Sequence, residues 1–326
     1  MTRRTFPRGI TMAEAARGIA QSRFLFRQAD FLGAFSRDTI RWKLADSSQV
    51  RFLRTIVHDR PEGRKLWSNK HVRAAAFDGF VEAFLRDFAA DEERKRYFLT
   101  FAWDAGFTWE REPVLDLVSL KNAVRLCIGR LGLHGIGIVE VDLLRNLTGE
   151  PGRRLAGHVH VYAWAQPGTK FRSKTVQDKL CESRAFPNFL NARSVVIKPI
   201  RRTEVSVARV AGYLVKYPSR AKRVLPDPKG ISERVFRDSK LPRGSASRLA
   251  ELLSHVEFGD VLFTVGPPGR HLKNQILARM KRQFASWART ETAPSSADVR
   301  MTWRLLRMMN GSRHFRPCKV VVKQKR

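Results

Sequence analysis

The chain has 326 residues, with 62 Lys+Arg against 30 Asp+Glu and a formal net charge of +32. Apolar residues make up 43%, enough for packed cores and too many for a disordered basic tail. So large a charge repels itself unless a polyanion neutralises it: nucleic acid is the expected partner, an anionic membrane surface is the lesser alternative, and a typical small-metabolite enzyme is disfavoured.

The length suggests two or three domains. Cys127, Cys181 and Cys318 form no CxxC pair and no disulfide framework, which fits a reducing interior. No apolar run approaches the roughly 18 residues of a membrane span. Met1-Thr2-Arg3-Arg4 lacks a signal-peptide core. The expected location is cytoplasmic, with no membrane partner. The basic end, Lys323-Gln324-Lys325-Arg326, is only a weak import-like signal.

Residues 11–92 read mostly helical. Phe77, Phe80, Val81, Phe84 and Phe88 recur at helical spacing, so 71–90 should bury an aromatic stripe. Asp59-Arg60-Pro61-Glu62-Gly63 reads as a turn. Tyr97-Phe98-Leu99-Thr100-Phe101 is a short buried strand. Leu117, Leu120, Val124, Cys127 and Leu131 then predict a helix over 114–131, ended by Gly132 and Gly135. Residues 136–144 read as a second strand and 157–164 as a third, joined by a Gly/Pro turn near 149–152. The polar stretch 166–193 is irregular and partly helical. Ser194–Lys198 makes a fourth strand, and Thr203 caps a helix running to about Tyr217. The order β-α-β-β-(insert)-β-α predicts an α+β fold, one antiparallel sheet with helices on one face.

From Pro218 onward the chain carries 24 Lys+Arg against 8 Asp+Glu, half of the total charge. Helices are expected around 271–289 and 298–309. Gly266-Pro267-Pro268-Gly269-Arg270 has neither the spacing nor the lysine of an ATP phosphate loop. A fused helicase motor is therefore not expected.

Three groups of residues can carry chemistry. His158 and His160 stand at i and i+2 of a strand, so both rings share a face and can ligate a divalent metal. Glu140 and Asp142 stand at i and i+2 of the preceding strand. If the two strands pair, a carboxylate lies across from the imidazoles and completes an open metal site. The alternative is a solvated strand face with a His–carboxylate hydrogen bond. Tyr213, Lys216 and Tyr217 share one helical segment. A phenol attacks phosphate at neutral pH only when charge on the phosphate is neutralised. The alternative is a helix that packs its tyrosines.

Together these residues resemble the HUH-type rolling-circle replication initiators of small plasmids and single-stranded phages. Phe98-Leu99-Thr100 resembles that family's F-L-T strand. Glu140-Val141-Asp142 and His158-Val159-His160-Val161 resemble its glutamate strand and H-hydrophobic-H strand. Tyr213-Leu214-Val215-Lys216-Tyr217 resembles its Y-x-x-K-Y helix. The resemblance covers about 95–222. It implies His158, His160 and Glu140 as ligands of Mg²⁺ or Mn²⁺, with Asp142 the substitute carboxylate if the register shifts by two. It implies Tyr213 and Tyr217 as nucleophiles and Lys216 as the cation that steadies the scissile phosphate. The chain departs from the family pattern after Tyr217, where Pro218 follows and Arg220 replaces a second lysine. A residue before proline is pushed away from the α region, so the primary tyrosine is left open.

The helical pattern and the charge set apart a helical region (1–94) and a basic region (223–326) that is expected to bind DNA or a partner; between them the resemblance implies an HUH-like nicking and joining domain (95–222). The implied reaction nicks single-stranded DNA at an origin through a 5′-phosphotyrosine and later rejoins it, driving rolling-circle replication. The implied partners are single-stranded DNA, origin duplex DNA, a host helicase and a host polymerase; oligomeric state is left open. The rivals are a two-tyrosine HUH transposase and a non-catalytic single-stranded nucleic-acid-binding protein.

Overall fold

Asn69 shows how local chemistry begins the architecture. Its carboxamide oxygen accepts from the backbone N–H groups of His71 and Val72, which caps a helix. Its amide donates to the carbonyls of Ile56 and Asp59, which ties down the preceding turn. The computed structural model describes residues 11–40, 48–61, 64–147, 150–188, 193–226, 233–237, 240–285 and 319–322.

In chain order the elements begin with α1 (Met12–Ile40), α2 (Ser48–His58), α3 (Lys70–Ala90), β1 (Arg96–Phe101), β2 (Phe107–Trp109) and β3 (Val114–Asp116). Then come α4 (Leu117–Arg130), β4 (Leu133–Leu147), β5 (Glu150–Ala165), α5 (Ser173–Glu182), β6 (Val195–Pro199) and α6 (Glu204–Leu214). The rest are β7 (Ala221–Pro226), β8 (Glu233–Arg237), α7 (Ser245–Ser254), α8 (Phe258–Val261), β9 (Leu262–Val265), α9 (Gly266–Ala285) and β10 (Lys319–Val321).

The fold is α+β. The main sheet runs β6-β1-β5-β4-β7-β8, with β2 on β5 and β9 on β4. Every pairing in it is antiparallel except β4 with β7. β10 and β3 form a separate parallel pair. β4 and β5 are the long central strands, and their register sets Glu140 opposite His158 and Ile138 opposite His160. β1 sets Thr100 opposite His160. Strand alternation then puts Thr100, Glu140, Asp142, His158 and His160 on one face.

That face is covered by α3 and α6. Phe84 of α3 stacks on Tyr162 of β5 at 4.0 Å. The expected aromatic stripe, Phe77, Phe80, Val81, Phe84 and Phe88, is buried. The opposite face is covered too: a Cβ on Gly157 would lie 2.6 Å from Leu115 and 3.2 Å from Leu120 of α4. Helices on both faces correct the one-face expectation. The physical reason is that β4 and β5 are apolar on their second face as well, where Val139, Val141, Val159 and Val161 are buried.

Other differences are local. Asp116 caps α4 through the Val118 and Ser119 N–H groups, and Gly132, at φ 66°, ends it. Gly135 is not a terminator; it pairs with Ala163 inside the sheet. Thr203 caps α6 as expected, but α6 stops at Leu214 rather than Tyr217. The Gly266–Arg270 segment is the first turn of α9, where two prolines are tolerated. β9 and α7 were not expected. The helix anticipated over 298–309 lies outside the described residues, as do Cys318 and the basic end.

One hydrophobic core joins Phe24 and Phe31 of α1, Phe80 of α3, Val159 of β5, Leu249 and Leu252 of α7, and Ile276 of α9. The regions expected at 1–94, 95–222 and 223–326 each contribute side chains to it. Among the described residues no helix is long and apolar enough to cross a membrane.

Candidate functional site

The β4–β5 register brings Glu140, His158 and His160 together, buried, with one potential ligand atom from each within 4.8 Å of the others. Each imidazole is anchored by its outer nitrogen. His158 Nδ1 lies 3.1 Å from the Ala156 carbonyl oxygen and His160 Nδ1 lies 2.9 Å from Thr100 Oγ1. A carbonyl only accepts, so His158 must carry its proton on Nδ1 and present an Nε2 lone pair inward. Both Nε2 atoms face Glu140 Oε2, at 3.6 Å from His158 and 3.3 Å from His160. Neither Nε2 atom nor Glu140 Oε1 has a hydrogen-bond partner among the described residues. Buried polar atoms without partners are costly. Inward lone pairs beside a carboxylate are the donor set that a divalent cation satisfies.

Two lysines complete the charge pattern. Lys216 Nζ lies 2.9 Å from Glu140 Oε2, and Lys222 pairs with Asp142. Burial alone would raise the Glu140 carboxyl, but the Lys216 ammonium outweighs it and holds it below the usual range. Asp142 behaves alike: burial raises it, and Lys222 and Lys216 bring it well below. Burial pushes the His160 imidazole down to about 3, so the ring is neutral at neutral pH. For Lys216, burial opposes the charge, but Glu140 and Asp142 more than restore it. The cluster thus holds two carboxylates against two ammonium groups. Asp142 is not one of the three grouped ligands; it lies 3.7 Å from His158 Nε2 and answers Lys222.

The two tyrosines part company. Tyr213, on the last turn of α6, is half-buried beside the Glu140–His158–His160 group. Its ring centroid is 5.1 Å from that of His160 and 5.4 Å from that of Phe98. Lys216 Nζ sits 3.8 Å above the ring, and the Arg27 guanidinium lies 5.4 Å from its centroid. Tyr217 is 1% exposed. It packs on Phe31 and Phe24 of α1, at 5.2 and 6.0 Å, and on the Arg73 guanidinium at 4.7 Å. Gln28 Nε2 donates to its hydroxyl at 3.4 Å. Burial pushes the phenol up to about 12, against the pull of Arg73.

The end of α6 produces this split. Buried Arg73 donates to the carbonyls of Lys216 (2.6 Å), Val215 (3.4 Å) and Trp67 (2.8 Å). These bonds hold the chain where it leaves the helix, so Lys216 faces the sheet and Tyr217 faces α1.

A cleft of about 550 Å³ adjoins this group through Asp142, Tyr213 and Lys216; His158, His160 and Glu140 lie behind these residues and do not line it. Its walls include Asp142, Tyr213, Lys216 and Lys222, and also Ser22, Arg23, Phe26 and Arg27 of α1. Sequence reasoning passed over three contributions: Arg73, Lys222 and the α1 wall. The α1 wall had a signal, Arg23, Phe26 and Arg27 at i, i+3 and i+4 of one helix. Arg73 had none, because two of its three acceptors, the Val215 and Lys216 carbonyls, lie more than 140 residues away.

No protein-family model, no curated protein and no solved structure matches the chain.

Proposed function

We propose that this chain is a metal-dependent DNA nicking and joining enzyme of the HUH rolling-circle initiator type. The observation that carries the reading is the pair of buried imidazoles, anchored outward and turned inward on Glu140, beside Tyr213 at the floor of a basic cleft. His158, His160 and Glu140 would hold the metal, Mg²⁺ or Mn²⁺. Two imidazoles favour Mn²⁺ over Mg²⁺, which prefers oxygen ligands. When bound, the ion supplies Lewis-acid polarisation of a non-bridging phosphate oxygen.

The chain's own residues do the rest. The Tyr213 hydroxyl oxygen attacks phosphorus, and the bond to the 3′ oxygen breaks. The phenol proton ends on the leaving oxygen, giving a 3′-hydroxyl and a 5′-phosphotyrosyl ester. Lys216, over the ring, stabilises negative charge developing on the phenol oxygen. The free 3′ end would prime a host polymerase, with a host helicase opening the origin duplex. Reversal of the transfer rejoins the strand. Tyr217 serves as packing in this reading: it borders the cleft, but it is 1% exposed and its hydroxyl accepts from Gln28.

A second reading is favoured by the pairing of both carboxylates with lysines, which makes the cluster neutral without an ion. On that reading the protein binds single-stranded nucleic acid and cuts nothing. The deciding experiment incubates the chain with Mn²⁺ and tiled single strands from the DNA element that encodes it. A denaturant-resistant protein–DNA adduct, abolished by chelator, is the expected result. Tight, salt-sensitive binding with no adduct on any strand would leave only the second reading.

A further inference from the structure

We infer that α1 is the strand-holding wall of the cleft: Phe26 is a stacking platform for one base beside the reacting phosphate, and Arg23 and Arg27 grip the adjoining backbone. This inference rests on the reading that the cleft takes a nucleic-acid strand, and it holds whether or not that strand is cut.

Phe24 and Phe26 lie on opposite sides of α1 and have opposite fates. Phe24 is 3% exposed, stacked on Phe77 at 4.8 Å and packed on Tyr217. Phe26 is 60% exposed. The helix is therefore anchored by one aromatic ring and presents the other to the cleft, where an apolar face is left in water. Around Phe26 the cleft is cationic. The Arg220 guanidinium lies 5.9 Å from its centroid, held there by Asp30 at 3.2 Å. Arg23, Arg27, Lys216 and Lys222 line the same space, and the one acid among its described lining residues, Asp142, is paired with Lys222. A smaller cavity on the other side of Tyr213 is lined by Arg23 and Arg27 again, now with Arg209.

An exposed aromatic ring interleaved with guanidinium groups matches a single strand, whose charge repeats at every phosphate and whose base faces are open. A duplex fits less well, because stacked neighbours cover each base face. The position also matters: Arg27 touches both Phe26's cleft and the ring of Tyr213, so a strand lying on α1 leads directly over the proposed nucleophile.

The test measures binding of the full chain to a fluorescent oligo-dT strand in chelator, where no cutting is possible. Phe26→Ala should weaken binding by roughly 5- to 150-fold, the range for losing one aromatic stack, with an unchanged salt slope. Phe26→Trp should keep wild-type affinity. Arg23→Ala with Arg27→Ala should weaken binding and flatten the salt slope by about 1.4, from two lost phosphate contacts on a single strand. Normal affinity in Phe26→Ala would overturn the stacking platform and mark Phe26 as a site for some other partner. An unchanged salt slope in the arginine variant would overturn the backbone grip. Failure of the wild-type chain to bind any single strand would sink the nucleic-acid reading itself, a distinct outcome.

Discussion

Arg73 is the residue on which the site's geometry turns. Its guanidinium is buried, and its three backbone acceptors include the consecutive carbonyls of Val215 and Lys216. Arg73→Met should cost about 3 kcal/mol in urea unfolding, because those buried carbonyls lose their donor. It should also lower nicking, because Lys216 loses its placement over Tyr213. Tyr217 provides a pH signature. Its phenol is pushed up to about 12 in the fold, while an unfolded tyrosine ionises near 10. The unfolded chain therefore releases this proton first, so stability is intact below pH 10 and falls as pH rises from there through 12. Alkaline unfolding should show that loss, and Tyr217→Phe should reduce it. At the metal group, His160→Ala should weaken Mn²⁺ binding at least 10-fold, read by the ion's magnetic resonance signal. Strand affinity should stay near wild type, since phosphate contacts supply it. Collapse of both together would mark the histidine as structural.

At the scale of elements, the β4–β5 hairpin builds the site and α6 faces it. The H-x-H spacing and the Glu140 position were readable because strand periodicity is strict: once β4 and β5 pair, the face of each side chain follows. The carboxylate pair could not be sorted by spacing alone. Glu140 and Asp142 share a face, and the exact β4–β5 register, which sets Glu140 opposite His158 and Asp142 opposite Ala156, distinguishes them together with the long-range lysines, Lys216 and Lys222. The end of α6 was misjudged for a similar reason. Helical spacing continues to Tyr217, but the stop at Leu214 depends on Pro218 and on Arg73 from α3. β9 was invisible because a four-residue, mostly apolar stretch between helices looks like either element. One close approach ties the hairpin to its opposite face. A Cβ at Gly157, next to His158, would meet Leu115 and Leu120. Gly157→Ala should therefore cost about 1–3 kcal/mol in thermal or urea unfolding. No loss of stability would show that α4 shifts freely away from β5.

For the whole molecule, the chain's three expected regions share one interior. Tyr217 and Phe77 take aromatic partners from α1, and α7 and α9 enter the same core. A 95–222 fragment would expose the apolar surface that these helices cover. It should fail to show a cooperative thermal transition by circular dichroism, whereas the full chain should show one. A fragment that melts cooperatively would restore the three-domain division. The boundaries read from sequence followed changes in texture, from helical to stranded to basic, and texture does not report which elements share a core. The net charge of +32 was legible from the first line; in the proposed function it is a salt-sensitive grip on phosphates. Composition could not show that part of the charge is already spoken for, as in Lys216 and Lys222.

The most direct measurement is to map the covalent adduct to a residue. Trypsin cuts after Lys216, so Tyr213 falls in peptide 210–216 and Tyr217 in peptide 217–220. Mass spectrometry of the digested adduct should find the nucleotide on 210–216, and Tyr213→Phe should abolish the adduct while Tyr217→Phe retains it. A nucleotide on 217–220, or an adduct that survives in Tyr213→Phe, would contradict the proposed site.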